Sequence, residues 1–316
     1  MKSIRKVLSV TALTLAAVLF SGCAAQSQAA SEPAGESGGS FTDALGHTVT
    51  ISRTVTAAAC SSSLAELWQL AGGELAGVTS DVFEENRFEV PDTAVTIGSV
   101  KTPSVEDIIV LAPDIVLLSS DIADHSELYD TFTAAGLRTV FFGIETFDDY
   151  LKALDQCTDL TGHKELYAKN GTDIKGSIDS IIAKTTGKES PSVLYIRAYS
   201  TGAKAKASDT MTGQMLADLN CTNIADSSSE LRAELSMEEI IRRDPDFIFV
   251  TTMGSDTEKA LDTLEKNLTS NPAWAELTAV KNSRFRILPK DLFHYKPNAR
   301  WNESYEMLYE ILYENG

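Results

Sequence analysis

Histidine and cysteine are scarce in this 316-residue chain, with four of each. The cysteines, Cys23, Cys60, Cys157 and Cys221, form no C-x-x-C pair, so neither a zinc ribbon nor a thioredoxin-type redox site is present. The histidines, His47, His125, His163 and His294, are scattered, with no H-E-x-x-H and no His-rich loop. A receptor for bare zinc or manganese would need several protein ligands close together, and the pattern does not offer them. Cations are also short. Lys and Arg number 27 against 45 Asp and Glu, a formal charge of -18, which disfavours phosphate backbones as partners. There is no P-loop. The one G-x-S-x-G match, Gly35 to Gly39, lies in a tract with no strand before it and no helix after it, so it is no nucleophile elbow. These absences argue against an enzyme and a nucleic-acid binder and leave a binding protein for a small molecule.

The N-terminus carries Lys2, Arg5 and Lys6 ahead of an apolar run from Val7 to Phe20. A basic front on so short a run marks a secretory signal, because a spanning helix needs ~20 apolar residues. The run ends in Leu19-Phe20-Ser21-Gly22-Cys23, which resembles a bacterial lipobox, with Phe20 where leucine is usual. Cleavage after residue 22 would leave Cys23 to be lipidated and the mature chain at a net charge of -21. Residues 24–40 contain only Ala, Gln, Ser, Glu, Pro and Gly, a composition that buries no core and reads as a flexible tether. A lipid anchor points to a Gram-positive cell, whose single membrane would otherwise lose an exported protein. The other three cysteines are odd in number, so buried free thiols are expected rather than a disulfide framework.

What the chain does have is one pattern written twice. Residues 103–120 read PSVEDIIVLAPDIVLLSS and residues 235–252 read LSMEEIIRRDPDFIFVTT. The copies share Ser104/Ser236, Glu106/Glu238, Ile108/Ile240, Ile109/Ile241, Pro113/Pro245 and Asp114/Asp246. Each predicts a short helix, a Pro-Asp break and a strand buried on both faces. The serines are expected N-caps, with Asp107 and Glu239 closing capping boxes. Glu106 and Glu238 sit at the second helical position, where the box does not need them. An acid there gains something from the helix dipole, yet two at equivalent places also suit a paired docking site.

Around the two copies, strands and helices alternate, the signature of α/β lobes with parallel sheets. The expected organisation is a signal over 1–22, a tether over 23–40, a first lobe over 41–160, a connecting helix over 161–188 and a second lobe over 189–316. The fold class is thus α/β, with two Rossmann-like lobes joined by a single long helix. Phe41–Ile51 predicts a hairpin turning at Leu45-Gly46. Loops at strand ends carry the residues suited to a ligand mouth. Thr79–Pro91 holds Phe83, Arg87 and Phe88, and Lys101 stands just before the first repeat helix. The stretch after Val193–Ile196 is expected to be a polar loop with Arg197, Tyr199, Lys204 and Lys206. Met253 follows the second repeat strand. Pro289–Arg300 is expected to be a loop and holds Phe293, His294, Tyr295, Lys296 and Arg300, of which the histidine, tyrosine and arginine cover metal ligation and anion pairing.

Several stretches together resemble the substrate-binding proteins of ABC importers for iron complexes and cobalamin. They are Thr42–Val49, Gly98-Ser99 ahead of Pro103–Glu106 and Leu111–Asp114, Trp274 ahead of Ala279–Asn282, and Lys296–Trp301. The resemblance covers about residues 41–313. It implies a monomer that holds its ligand between two lobes with little hinge motion and has no intrinsic cofactor. It also implies delivery to a permease dimer with its ATPase subunits, with Glu106 and Glu238 docking on permease arginines. His294 or Tyr295 would be an iron ligand if the cargo is haem. Arg87, Lys101, Arg197, Lys206 and Arg300 could surround an anionic siderophore, and Phe83, Phe88 and Phe293 could wall a cobalamin. The motifs leave the choice among these ferric chelates, haem and cobalamin open.

Overall fold

The structure, a computed structural model, describes residues 40–314 apart from 51, 54, 55 and 255. The signal segment, Cys23 and nearly all of the tether lie outside the described residues. The described chain opens with a hairpin, β1 (Ser40–Thr42) against β2 (Thr48–Thr50), turning through Gly46 at φ 91°. The first lobe follows. Strands β3 (Thr56–Ala59), β4 (Glu74–Val78), β5 (Val95–Thr96), β6 (Ile115–Ser119) and β7 (Thr139–Phe142) form a parallel sheet in the order β5-β4-β3-β6-β7. The second lobe has β8 (Ser192–Tyr199), β9 (Gly202–Lys206), β10 (Thr222–Asn223), β11 (Phe247–Thr252) and β12 (Phe285–Ile287), with parallel order β10-β8-β11-β12. In each lobe the repeat strand, β6 or β11, lies beside the lobe's first strand, β3 or β8. The strand order reverses there, and α/β sheets bind ligands just beyond the carboxyl ends of strands at such a point.

The repeated Pro-Asp break fixes that placement in both lobes by the same contact. Asp114 Oδ2 accepts hydrogen bonds from the backbone N–H (2.9 Å) and hydroxyl (3.0 Å) of Thr56, at the start of β3. Asp246 Oδ2 accepts from the backbone N–H (2.8 Å) and hydroxyl (2.7 Å) of Ser192, at the start of β8. The repeat helices, Val105–Leu111 and Met237–Arg243, end one residue before the proline, at Ala112 (φ 48°) and Asp244 (φ 40°). Both Ser104 and Ser236 cap as expected, accepting from the N–H of Asp107 and Glu239. The capping boxes do not close, because the backbone N–H each would use is already taken. Ser104 donates to Ile97 O (2.8 Å) and Ser236 to Glu234 O (2.7 Å). Glu239 turns instead to Arg242 and Arg243, whose hydrogen bonds hold its carboxyl down at about 2. The box that does form is Thr146/Asp149, at the head of the helix Phe147–Thr161.

Other boundaries differ from expectation for visible reasons. Ser80–Asn86 is partly helical, over Asp81–Glu85, ending at Asn86 in the left-handed region (φ 47°). The helix Tyr129–Ala134 is preceded by a short turn, Ala123–Ser126, that tucks His125 into the lobe. The expected polar loop after Ile196 is a hairpin of β8 and β9. Ala198, Ala203 and Ala205 alternate there with Arg197, Lys204 and Lys206, a period of two that supports a strand pair. The loop over Pro289–Arg300 contains two short helical turns, Lys290–Phe293 and Asn298–Arg300.

A helix from Glu165 to Ala183 connects the lobes, with a wider π turn over Ala168–Thr172. Ile174, Ile178 and Ile181 bury one face of it, and the C-terminal helix Trp301–Tyr309 packs along it. One hydrophobic core therefore runs through both lobes, from Leu67 and Tyr150 to Tyr195 and Tyr305. Cys60 and Cys157 are buried free thiols, and Cys221 is free and half-buried.

The chain's last segment crosses back onto the first lobe. Trp301 lies 5.7 Å from the Phe147 ring and 6.5 Å from Tyr150. Asn298 is fully buried at φ 52° and donates through Nδ2 to Ser63 O (2.9 Å) and Glu66 Oε2 (2.8 Å). Arg87 pairs with Glu66 (2.7 Å) and donates to Lys296 O (2.6 Å), with its side chain only 3% exposed. Removing one partner of such a pair strands the other charge in the interior. Arg87→Ala is expected to lower stability by about 3–5 kcal/mol in denaturant unfolding. Asp246→Ala, which frees two donors at the head of β8, is expected to cost about 2 kcal/mol in the same assay.

Candidate functional site

A cavity of about 520 Å³ opens between the lobes. Its first-lobe wall comes from strand ends: Ser61 and Ser63 after β3, Asp81 and Glu85 after β4, Asp121 and Asp124 after β6, and Glu145 after β7. The opposite wall holds Arg197 near the end of β8, Met253 after β11, and His294, Tyr295 and Lys296 from the last loop. The cavity thus sits where both sheets reverse order.

Of the residues proposed from sequence, Lys101, Arg197, Met253, His294 and Tyr295 line this cavity. The others do not. Arg87 is committed to Glu66 and the crossing segment. Arg300 is bound to Asp291 (2.8 Å) and Glu303 (2.8 Å), which raise its pKa. Phe293 is wholly buried and Phe88 packs against the core, while Phe83 is 57% exposed. Tyr199 and Lys206 belong to the β8–β9 hairpin, whose backbone pairing replaced the expected loop. An aromatic wall and a ring of five cations are therefore not assembled. Glu106 and Glu238 are exposed, and neither makes a salt bridge or side-chain hydrogen bond among the described residues.

Sequence reasoning missed the acids. Asp81, Glu85, Asp121, Asp124 and Glu145 line the cavity against the cations Lys101, Arg197 and Lys296. A signal for them existed, since each follows the carboxyl end of a parallel strand. Lys296 reaches across from the second lobe to Glu145 (2.9 Å) and Asp121 (3.4 Å), so these three charges largely satisfy one another. Polar atoms that remain buried without a hydrogen-bond partner include Asp81 Oδ1, Glu85 Oε2 and Arg197 Nε. Buried polar groups are nearly always paired, and those left unpaired in a cleft are poised for a ligand. Burial pushes Glu85 up to about 7, well above the usual carboxylate range.

His294 is the most chemically available group. Burial pushes its pKa down to about 4, with help from Arg197, Lys290 and Lys296. The imidazole is therefore neutral at pH 7, and its ring nitrogens hydrogen-bond to nothing among the described residues. Tyr295 stands 5.2 Å away, ring centre to ring centre. His125 plays a structural part. Its Nδ1 accepts from Ser119 N (3.0 Å), so Nε2 carries the proton toward Val100 O (2.7 Å) and fixes the turn that presents Lys101.

A folded-state pKa near 4 for His294 has a measurable consequence. Between about 6.5 and 4 the unfolded chain binds the proton and the folded chain does not, so this group makes stability fall as pH is lowered through that window. His294→Gln is expected to flatten that part of the stability–pH curve, read by urea unfolding from pH 7 to 4 against the wild type.

Comparison with known proteins agrees with this architecture. No curated protein matches the chain. Among solved structures, an ABC transporter substrate-binding protein from Listeria monocytogenes EGD-e is 20% identical, with TM-score 0.69 over 83% of this chain and 100% of its own. S. aureus IsdE complexed with heme is 18% identical, with TM-score 0.69 over the same shares. FeuA from Bacillus subtilis, complexed with ferri-bacillibactin, is 20% identical, with TM-score 0.67 over 86% of this chain and 97% of its own. These likenesses establish the two-lobed fold. The family model described as periplasmic binding protein matches residues 58–292, from the end of β3 to the loop that carries the cavity's histidine, and the chain is a member of that family.

Proposed function

We propose that the protein captures an iron complex between its lobes and hands it to the permease of an ABC importer. The observation that carries this reading is the cleft at the doubled switch point, where Asp81 Oδ1 and Arg197 Nε, which have no hydrogen-bond partner, converge with a neutral His294. The structural relatives solved with heme and with ferri-bacillibactin support iron complexes as the class of cargo. The complex is a transported ligand and not a resident cofactor. In this reading Cys23 carries a lipid that tethers a monomer to the outer face of the cell membrane. Glu106 and Glu238 contact cationic residues on the two permease subunits. The crossing segment keeps the lobes at a nearly fixed angle, so loading is a local event in the cleft.

His294 favours a second, narrower reading, in which the cargo is haem and the imidazole is an axial ligand. A neutral, unpartnered imidazole facing a cleft is the state that iron ligation requires. The absence of an assembled aromatic wall weakens the cobalamin alternative, because Phe83, Phe88 and Phe293 do not line the cavity.

Titration of the purified protein with haemin and with a ferric trihydroxamate, followed by absorption and by quenching of tryptophan fluorescence, tests both readings. Saturable one-to-one binding of either complex is expected. A Soret shift that disappears in His294→Ala would establish haem ligation. Binding of neither complex, nor of a ferric tricatecholate, would overturn the iron-complex reading.

A further inference from the structure

The two repeat helices display more than their glutamates. Ile108 and Ile240 are fully buried and anchor each helix to its lobe. The next residue in each copy, Ile109 and Ile241, points outward and is 39% and 45% exposed. Val110 is 80% exposed, the most exposed of the large apolar side chains described. Two seven-residue helices therefore hold three of the eight exposed large apolar residues, the rest being scattered over the lobes.

Local structure gives no reason for them. Branched side chains are poorer helix formers than the glutamate and arginine residues that fill most of the other outward positions. They belong to none of the buried core clusters. Single exposed apolar residues need no explanation, but the same one at the same place in two lobes does. Ile109 lies three residues after Glu106, and Ile241 three after Glu238, so each pair shares one helix face. The first repeat helix follows β5 directly, whereas the second follows β10 only after a short intervening helix, Ser229–Ala233. Gly98, at φ 91°, holds the first of these turns tight, since a Cβ there would meet Thr102 O at 2.7 Å and Ser104 N at 2.8 Å.

We propose that Glu106 with Ile109 and Val110, and Glu238 with Ile241, form two matching contact patches for a pair of membrane subunits. Each subunit presents a cation to the glutamate and an apolar socket to the isoleucine. The proposal rests on the permease-docking reading and adds to it the groups that supply affinity. The acids steer a chain of net charge -18 onto a basic surface and set its register, and the apolar side chains resist dissociation once water is expelled. The copies differ at the following position, Val110 against Arg242, so the first lobe carries the larger apolar patch.

The test measures affinity of the intact receptor for its purified permease–ATPase complex in lipid nanodiscs, at several salt concentrations. Three receptors are compared: the wild type, E106Q/E238Q, and I109S/V110S/I241S, with the singles I109T and I241T as milder variants. The apolar triple is expected to bind at least tenfold more weakly through faster dissociation, with the salt dependence of the wild type. The acid pair is expected to bind more weakly with a shallower salt dependence. Unchanged affinity of the triple and both singles, with a weakened acid pair, would overturn the apolar patches and leave docking by the glutamates standing. Unchanged affinity of the acid pair and the triple together would overturn docking through these helices altogether.

Discussion

The buried contact among Arg87, Glu66 and Asn298 holds the two walls of the cleft together. Glu66 sits on the first helix of the first lobe, and Asn298 belongs to the segment that returns from the second. Arg87 bridges them and also accepts the task of holding the Lys296 carbonyl. Burial raises the pKa of Glu66, and the nearby arginine and amide pull it back toward the charged form. Because the pair is desolvated, each partner is required by the other, and the loop bearing His294, Tyr295 and Lys296 is held against the first lobe. Trp301 adds an aromatic seat on Phe147 just beyond it. The cleft is thus bounded by two lobes whose relation is set by packing and ion pairing, as well as by the connecting helix.

The rest of the architecture is one device used twice. A serine cap starts the repeat helix, a buried isoleucine seats it, and a Pro-Asp step ends it. The aspartate then clamps the first strand of the same lobe. This places the repeat strand beside that first strand and creates the order reversal above which the cavity lies. The device also leaves one glutamate and one isoleucine pointing outward from each lobe. On the proposed reading, cargo and partner would meet different parts of the same supersecondary unit, the loops above the strands and the face of the helix.

Periodicity and capping made much of this legible in the sequence. The doubled pattern identified two parallel-sheet lobes, and the Gly46 turn falls where the residues place it. The site was less legible. Charge type says which residues can meet an anion, but not which cations are already spent. Arg87 and Arg300 read as ligand-binding groups because Glu66 is distant in the chain from Arg87, and the pairing of Arg300 with the nearby Asp291 and Glu303 is set by the fold. Phe293 read as a wall and is core, since one-residue differences in direction within a short turn cannot be seen from hydrophobicity. The β8–β9 hairpin was missed because small alanines alternating with lysines carry a weak strand signal. Asp81, Glu85, Asp121 and Glu145 were legible only by position, immediately after strand ends.

The claim that the cleft between the lobes is the seat of an iron complex is most directly tested by anomalous diffraction at the iron edge. The crystals would be grown with haemin or with a ferric trihydroxamate. The account predicts a single strong iron peak inside the cavity bounded by Asp81, Glu85, Arg197 and His294, within coordination distance of His294 Nε2 or Nδ1 if the complex is haem. Iron peaks confined to the outer surface, or crystals saturated with either complex that show no iron in this cavity, would contradict it.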